Sequence, residues 1–264
     1  MKTFLYHIFI CGAILLYIST NVYADNSDIP NLSELENKAE NGNAEAQYEL
    51  AMMYTFGSLY KKFENYTESY FSSFYNSVDF FQTKDGQFIK ENKEKAPLLF
   101  FLAAEQNHIE AKFRLAELYG NNEKGIEILK ELANKNHANS LFLLGLAIKK
   151  RDIREGIELI KRGAKSGSPE AQCYIGYLYD YGDGIDYILK KNKENAIKFY
   201  KMAAAQNHAG AQYALGMLHK SGNISLESNK EALMWFKKAC ENKHANACRE
   251  YQMILSLANM ANAK

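Results

Sequence analysis

One short pattern recurs along the chain, and this repetition restricts the folds open to it. The clearest copy is His208-Ala-Gly-Ala-Gln-Tyr-Ala-Leu-Gly-Met-Leu-His219. The residue at the head of each copy is called its anchor here. Three positions after every anchor the side chain is small, and seven positions after it the side chain is large. The anchors are Asn43, His108, His137, Ser168, His208 and His244.

The residues before each anchor follow a matching rule. Four positions before it the side chain is small, and eight positions before it the side chain is bulky. Such offsets place the recurring small and large residues on one face of a helix. The pattern therefore predicts two amphipathic helices that meet at a tight turn containing the anchor. Successive anchors lie 65, 29, 31, 40 and 36 residues apart, and a period of this length is typical of a solenoid of helix pairs.

Three segments make the pattern more specific. Ala209 to Gly216, Gly182-Asp-Gly-Ile185 and Lys230 to Cys240 together resemble the Sel-1-like repeat, a relative of the tetratricopeptide repeat. The resemblance covers roughly residues 31–258, although the copies at 122–150 and 152–168 lack the glycine loop and are shorter. It implies an all-α fold, a right-handed α-solenoid of antiparallel helix pairs.

Residues 1–24 are predicted to be a secretory signal peptide. Lys2 precedes an apolar run from Phe4 to Tyr17, which is short for a membrane span, and Val22-Tyr-Ala24 provides small residues for cleavage. The alternative is that this segment stays uncleaved and holds the protein at the membrane. We expect the repeats to occupy residues 25–258, with a C-terminal tail at 259–264. We expect the mature protein to be periplasmic or secreted, without stable membrane insertion.

Residues 57–91 interrupt the repeats with an insertion that contains ten aromatic side chains. Their spacing from Tyr60 to Val78 favours a helix, and the runs 78–81 and 87–89 suggest a hairpin. Because aromatic residues are enriched in binding hot spots, the insertion is a candidate contact surface. The alternative is a cap over the edge of the first repeats. The candidate binding residues are Tyr60, Phe63, Tyr66, Tyr70, Phe74 and Tyr75.

The mature chain has three cysteines. Cys240 and Cys248 lie eight residues apart around the last anchor, as in the secreted cysteine-rich branch of Sel-1-like proteins. This resemblance, together with export, implies a disulfide between them; two buried free thiols are the alternative. Cys173 matches neither bridge position and is expected to be a free core residue.

Composition and motifs limit the function. The net charge is +1, and 0 without the signal, so there is no electrostatic reason to expect nucleic acid or an anionic membrane as a partner. Anchor histidines in successive repeats lie too far apart to share a metal ion, so no metal or cofactor is expected. Ser58-Leu-Tyr-Lys61 fits the Ser-x-x-Lys pattern of penicillin-recognising enzymes, but the companion motifs are missing.

The resemblance implies a protein–protein interaction module rather than an enzyme. Its partner would be another protein, held by the concave face and the inserted loop. Such a module could act as a scaffold, a regulator, a virulence-associated binder or a toxin-neutralising immunity protein. The alternative is a hydrolase that acts on β-lactam or cell-wall substrates.

Overall fold

The computed structural model describes residues 31–56, 81–82, 88–89, 92, 94–182, 189–222 and 226–262. These residues form twelve helices and one short strand pair. The predicted signal peptide at 1–24 lies outside them. The helices are α1 (Leu32–Glu40), α2 (Ala44–Phe56), α3 (Lys95–Glu105), α4 (Ile109–Tyr119), α5 (Glu123–Asn134), α6 (Ala138–Lys149), α7 (Ile153–Lys165), α8 (Pro169–Tyr181), α9 (Lys193–Ala205), α10 (Ala209–Gly222), α11 (Leu226–Glu241) and α12 (Ala245–Asn262).

Each helix packs mainly on the helices before and after it in the sequence, which is the arrangement of a solenoid. The core is correspondingly divided into five clusters of buried apolar side chains that follow one another along the chain. The predicted all-α solenoid of helix pairs is confirmed. The last helix continues to Asn262, into residues predicted as tail, because Ala258, Met260 and Ala261 favour helix and no glycine or proline stops it.

Every anchor closes a turn between two antiparallel helices. At the fifth turn the N–H groups of His208 and Asn207 donate to the carbonyls of Ala203 and Ala204, at 3.2 and 3.1 Å. This pair of hydrogen bonds caps the end of α9, and it requires a residue in the left-handed conformation just before the anchor. Glycine, asparagine or lysine supplies that conformation, with positive φ at Gly42, Asn107, Asn136, Gly167, Asn207 and Lys243.

The anchor side chain then caps the start of the second helix. His208 Nδ1 accepts a hydrogen bond from the N–H of Ala211 at 3.1 Å, which satisfies a donor that the helix itself cannot pair. Asn43 Oδ1 and Ser168 Oγ accept the equivalent bonds in their turns, at 2.8 and 3.2 Å. All four anchor histidines accept the equivalent bond through Nδ1 and so satisfy helix-end groups.

Close backbone approach explains the alternation of small and large residues. A glycine eight positions after three of the anchors faces the bulky side chain of the following helix. A Cβ atom on Gly216 would lie 2.6 Å from the ring of Phe236, and one on Gly176 would lie 2.7 Å from Tyr200. Both rings are almost completely buried, so neither can swing away. The third such pair is Gly145 with Ile160.

A ladder of amides connects neighbouring repeats. Gln212 Nε2 donates to the carbonyl of Ala204 at 3.2 Å, and Gln212 Oε1 accepts from Asn242 Nδ2 of the next repeat at 2.7 Å. Because these buried amides satisfy each other, they fix how one repeat sits on the next. The same arrangement joins Gln47 to Gln106 and Gln172 to Gln206.

The insertion begins and ends at neighbouring points of the solenoid. The N–H of Asn92 donates to the carbonyl of Tyr54 at 2.9 Å, so the two ends are held together. Within the insertion, β1 (Phe81–Gln82) pairs antiparallel with β2 (Phe88–Ile89), and Phe81 lies opposite Ile89. This short ladder confirms the predicted hairpin. The helix predicted from Tyr60 to Val78 lies outside the described residues.

We expect Gly216→Ala to destabilise the protein by roughly 1–3 kcal/mol, because the added methyl group overlaps a buried ring. Urea unfolding followed by circular dichroism measures this change. The double variant Gly216→Ala/Phe236→Leu replaces the ring by a smaller side chain. Its loss of unfolding free energy should be less than the sum of the losses in the two single variants. Strict additivity would show that the glycine is not there for close approach.

We expect stability to fall as the pH is lowered from about 6.5 towards 4. Burial lowers the pKa of His208 from 6.5 to about 4 and also lowers the pKa of His244. The unfolded chain therefore takes up protons in this range before the folded chain does. For His208 the loss is on the order of 2–3 kcal/mol, and it levels off below the folded pKa.

His208→Asn provides the matched control for this pH dependence, since Asn43 already serves as an anchor and does not titrate. The variant should keep the helix cap, and its free energy of unfolding should decline less steeply between pH 6.5 and 4. If the two proteins show the same slope, then the assigned role of His208 in the pH dependence is wrong.

Candidate functional site

The six residues predicted to bind a partner all belong to the insertion. Tyr60, Phe63, Tyr66, Tyr70, Phe74 and Tyr75 lie outside the described residues, so their role stays a prediction. Ser58 and Lys61 of the Ser-x-x-Lys pattern lie outside them as well. The described residues nevertheless present a second candidate surface on three consecutive anchor-led helices, α4, α6 and α8.

This surface, called the inner face, is formed by side chains at two, six and nine positions after three of the anchors, together with Tyr181 at thirteen positions after the third of them. Such offsets follow one stripe of a helix. Most of these side chains are only partly exposed, and Leu143, Leu146 and Tyr174 pack against the edges of the buried core clusters. The inner face comprises Glu110, Arg114 and Glu117 on α4, Asn139, Leu143 and Leu146 on α6, and Glu170, Tyr174, Tyr177 and Tyr181 on α8.

One half of the inner face is acidic. Arg114 Nη1 donates to Glu117 Oε2 at 2.9 Å, and Glu110 Oε1 lies 3.0 Å from His137 Nε2. Burial raises the pKa of the Glu117 carboxyl above its ordinary value, since a low-dielectric environment disfavours the charged form. Burial raises the pKa of Glu170 in the same way.

The acidic side chains also show that α4 and α8 contribute to one surface. Glu117 on α4 and Glu170 on α8 belong to helices separated by α6, yet the negative charge of Glu117 contributes to the raised pKa of Glu170. The charge of Arg114 acts on Glu170 in the opposite direction.

The other half of the inner face is aromatic. The rings of Tyr174, Tyr177 and Tyr181 follow one another along α8, with centroids 6.5 and 4.9 Å apart. Phe142 of α6 meets Tyr174 edge-on at 6.0 Å, and Lys149 Nζ lies 5.1 Å from the centre of the same ring. The side chains of Tyr177 and Tyr181 remain 49% and 60% exposed. The row is therefore held in place from within α6 and α8 while its far end faces solvent.

The opposite surface has a different character. On α5, α7, α9 and α11 the positions six and seven before each anchor are mostly charged: Lys130 and Glu131, Lys161 and Arg162, Lys201 and Met202, and Lys237 and Lys238. Helix α3 departs from this pattern, because it exposes Leu98, Phe101 and Leu102, the first to 57%. This apolar patch belongs to the helix that directly follows the insertion.

The cysteines lie as the sequence suggested. Cys240 and Cys248, predicted as a pair, form a disulfide across the last turn, with their Cα atoms 4.6 Å apart. Cys173 is free, and it occupies the position five after its anchor, where Tyr48 and Tyr213 stack on the next anchor histidine. Burial raises the pKa of the Cys173 thiol to about 12, so the reactive thiolate is scarce at neutral pH.

The described part of the chain contains no group of three or more His, Cys, Asp or Glu side chains placed to hold a metal ion. Within the same ranges, no helix combines the length and the apolar character that crossing a membrane would require.

Comparison with known proteins identifies the repeat. The Sel1 repeat family matches residues 44–71, 84–108, 132–168, 169–208 and 209–244, which is more than half of the chain. The chain belongs to the Sel1 repeat family. Several of the matched segments begin just after an anchor or end on one, so the anchor turn lies at the boundary between successive Sel1 repeats.

Two relatives and one solved structure show the extent of the likeness. Chitin synthase regulatory factor 3 of Schizosaccharomyces pombe is 26% identical over 166 residues, which cover 61% of this chain and 15% of that protein. Protein sel-1 homolog 2 of Homo sapiens is 27% identical over 58% of this chain and 18% of its own length. The chain thus spans less than a fifth of these two relatives.

A crystal structure of a Sel1 repeat protein from Oxalobacter formigenes superposes with a TM-score of 0.53 at 23% sequence identity. The match covers 82% of this chain and 78% of that one. This likeness confirms the predicted Sel1-type solenoid. Sel1 repeats are protein-interaction scaffolds, and the comparisons give no support to the alternative of a hydrolase.

Sequence reasoning missed the tyrosine row of this Sel1 protein. The signal was present in the run Tyr174-Ile-Gly-Tyr177-Leu-Tyr-Asp-Tyr181, whose spacings of three and four place three tyrosines on one stripe of α8. A tyrosine at such a spacing usually fills a core. Its exposure became evident only from the neighbouring helices.

We expect replacement of both bridge cysteines by serine to destabilise the last repeat by about 2–3 kcal/mol, the chain-entropy estimate for a ring this small. Hydrogen exchange should show the amides of α12 opening faster, while those of α4 stay unchanged. Cys173→Ser is the control, since that thiol is free. Equal protection of α12 in the bridged and unbridged proteins would contradict a stabilising role for the disulfide.

Proposed function

We propose that this Sel1 repeat chain is an exported module that binds another protein through its inner face and its insertion. The single observation that supports the proposal most is the row of Tyr174, Tyr177 and Tyr181, which is ordered on one side and exposed on the other. Concave surfaces of helix-pair repeats are where this class of fold presents its contact residues.

The energetics of a tyrosine row favour binding. A tyrosine ring offers a large contact area and loses little conformational freedom when it is buried. Here the rings already pack on one another and on Phe142, so part of the ordering cost is met in the free protein. Tyr177 and Tyr181 would therefore contribute most of the binding energy, as aromatic residues that become buried at the centre of an interface commonly do.

The insertion is the second part of the proposed binding surface. Its ends are fixed at Tyr54 and Asn92, beside the helix that carries the exposed Leu98, Phe101 and Leu102. The aromatic side chains of residues 57–91 would extend the contact made by the inner face. The competing role is that of a cap over this apolar patch, and the experiment below separates the two.

Export is supported by the signal-like residues 1–24 and by the disulfide, since structural disulfides persist mainly in oxidising compartments.

One relative supports a binding role, because it is named as a regulatory factor of another protein, a chitin synthase. Scaffolding, regulation and toxin neutralisation all reduce to a binding step of this kind, and the identity of the partner distinguishes them.

We expect a photo-crosslinking amino acid at position 177 to trap a protein partner in cells of the source organism, whereas one at Lys201 on the opposite surface should not. The trapped protein is then purified, and its affinity is measured by calorimetry. Tyr177→Ser/Tyr181→Ser should weaken binding by at least about tenfold, the range of a hot spot, without lowering the melting temperature. Equal crosslinking at both positions would refute the assignment of the face.

The same partner tests the insertion. Replacing residues 60–88 by a short Gly/Ser linker should weaken binding and leave the melting temperature unchanged. A melting temperature lower by several degrees with full binding would make residues 57–91 a cap instead, and their proposed contact role would fail.

A further inference from the structure

The charge on the inner face is only partly neutralised by the protein itself. It holds the carboxylates of Glu110, Glu117 and Glu170, of which Glu117 accepts from the Arg114 guanidinium and Glu110 lies 3.0 Å from His137 Nε2. Glu170 accepts a hydrogen bond from the hydroxyl of Ser168 at 3.2 Å, a neutral donor. Three carboxylates with one guanidinium and one imidazole thus share a partly buried place, where salt screens their charge less than on an open surface.

The acidic and aromatic halves are continuous along α8. Glu170 and Tyr181 lie on the same stripe of this helix, eleven residues and thus about 16 Å apart. Between them, the ammonium group of Lys149 donates a hydrogen bond to the Tyr174 hydroxyl at 2.5 Å, at the edge of its ring. An exposed tyrosine face attracts cations as well, because its π electrons are negative. The surface thus combines carboxylates with exposed rings.

We propose that the inner face binds a cationic peptide segment of another protein, in which lysine or arginine lies next to apolar side chains. The cationic groups would pair with Glu110 and Glu170, and the apolar groups would pack on Tyr177 and Tyr181. This inference rests on the proposed function and specifies the chemistry of the partner at the same surface.

Charge complementarity selects this occupant over the other classes. An acidic segment or a nucleic acid would meet like charge at Glu110 and Glu170, which is unfavourable in a partly buried site. An incoming guanidinium can instead make charge-assisted hydrogen bonds to carboxylates whose ionised form burial disfavours. A purely apolar segment would leave these carboxylates desolvated without a partner.

The probes are two fluorescein-labelled synthetic peptides of about 12 residues, both with Leu and Phe at one end. One carries Arg-Lys-Arg at the other end, and its counterpart carries three glutamates. Fluorescence anisotropy with the mature protein should show that the cationic peptide binds more tightly by at least about tenfold, and that added salt reduces this preference. Equal binding of the two peptides would overturn the inference.

Matched variants locate the site. Glu110→Gln/Glu170→Gln keeps the shape of both side chains and one acceptor oxygen on each, and should weaken binding of the cationic peptide by at least about fivefold. Glu127→Gln/Glu158→Gln removes the same charge from exposed glutamates on α5 and α7, and should change its affinity less than about twofold. If both pairs weaken binding alike, the attraction is a general effect of net charge and the proposed site is wrong.

Two further outcomes keep this inference separate from the proposed function. If light scattering finds a dimer that dissociates in the Glu110→Gln/Glu170→Gln variant, then a second copy of this chain occupies the inner face. That result would overturn the proposal of a cationic segment from another protein. If the crosslinked partner loses affinity with Tyr177→Ser/Tyr181→Ser but not with Glu110→Gln/Glu170→Gln, the binding function stands and its cationic chemistry is refuted.

Discussion

The structure depends on a reversal of the chain that closes two helix ends at once. At each anchor, backbone N–H groups cap the helix that ends and a side chain caps the helix that begins. Because both sets of unpaired backbone groups are satisfied within a few residues, the two helices can pack tightly with no loop between them. His208, Ser168 and Asn43 differ in chemistry, but each provides a side-chain atom that accepts this hydrogen bond.

Side-chain size is the next constraint. The second helix of one pair approaches the first helix of the next pair closely, so a glycine on one faces the ring or branched chain on the other, as Gly216 on α10 faces Phe236 on α11. Where the chain omits the glycine loop, the approach is closer still: a Cβ on Gly156 would lie 2.5 Å from Lys149 Cα. The amide ladder through Gln212 then fixes the rotation between repeats.

The sequence predicted the repeats well because their determinants are local. The size of residues at fixed offsets from His108 or His208 follows from helix geometry alone, and six copies repeat the same information. The pairing of Cys240 with Cys248 was accessible for the same reason, since one turn brings them together. The hairpin at Phe81 and Ile89 was also a short-range signal.

The inner face could not be predicted in this way. Glu117 and Glu170 lie far apart in the sequence, and only the packed array brings their charges within range of each other. Tyr177 has the spacing of a core residue, yet its side chain is 49% exposed. Aromatic content alone directed attention to residues 57–91, and no local rule fixes which rings there face solvent. Contacts between helices of different repeats become evident only in the packed array.

The disulfide gives the array a direction. In a solenoid each repeat is supported by its neighbours, so a terminal repeat with one neighbour opens first. The bridge between Cys240 and Cys248 ties α11 to α12. Separation of these two helices is thereby hindered, so a pulling force or a protease would open the helix pairs that lack a bridge before this one.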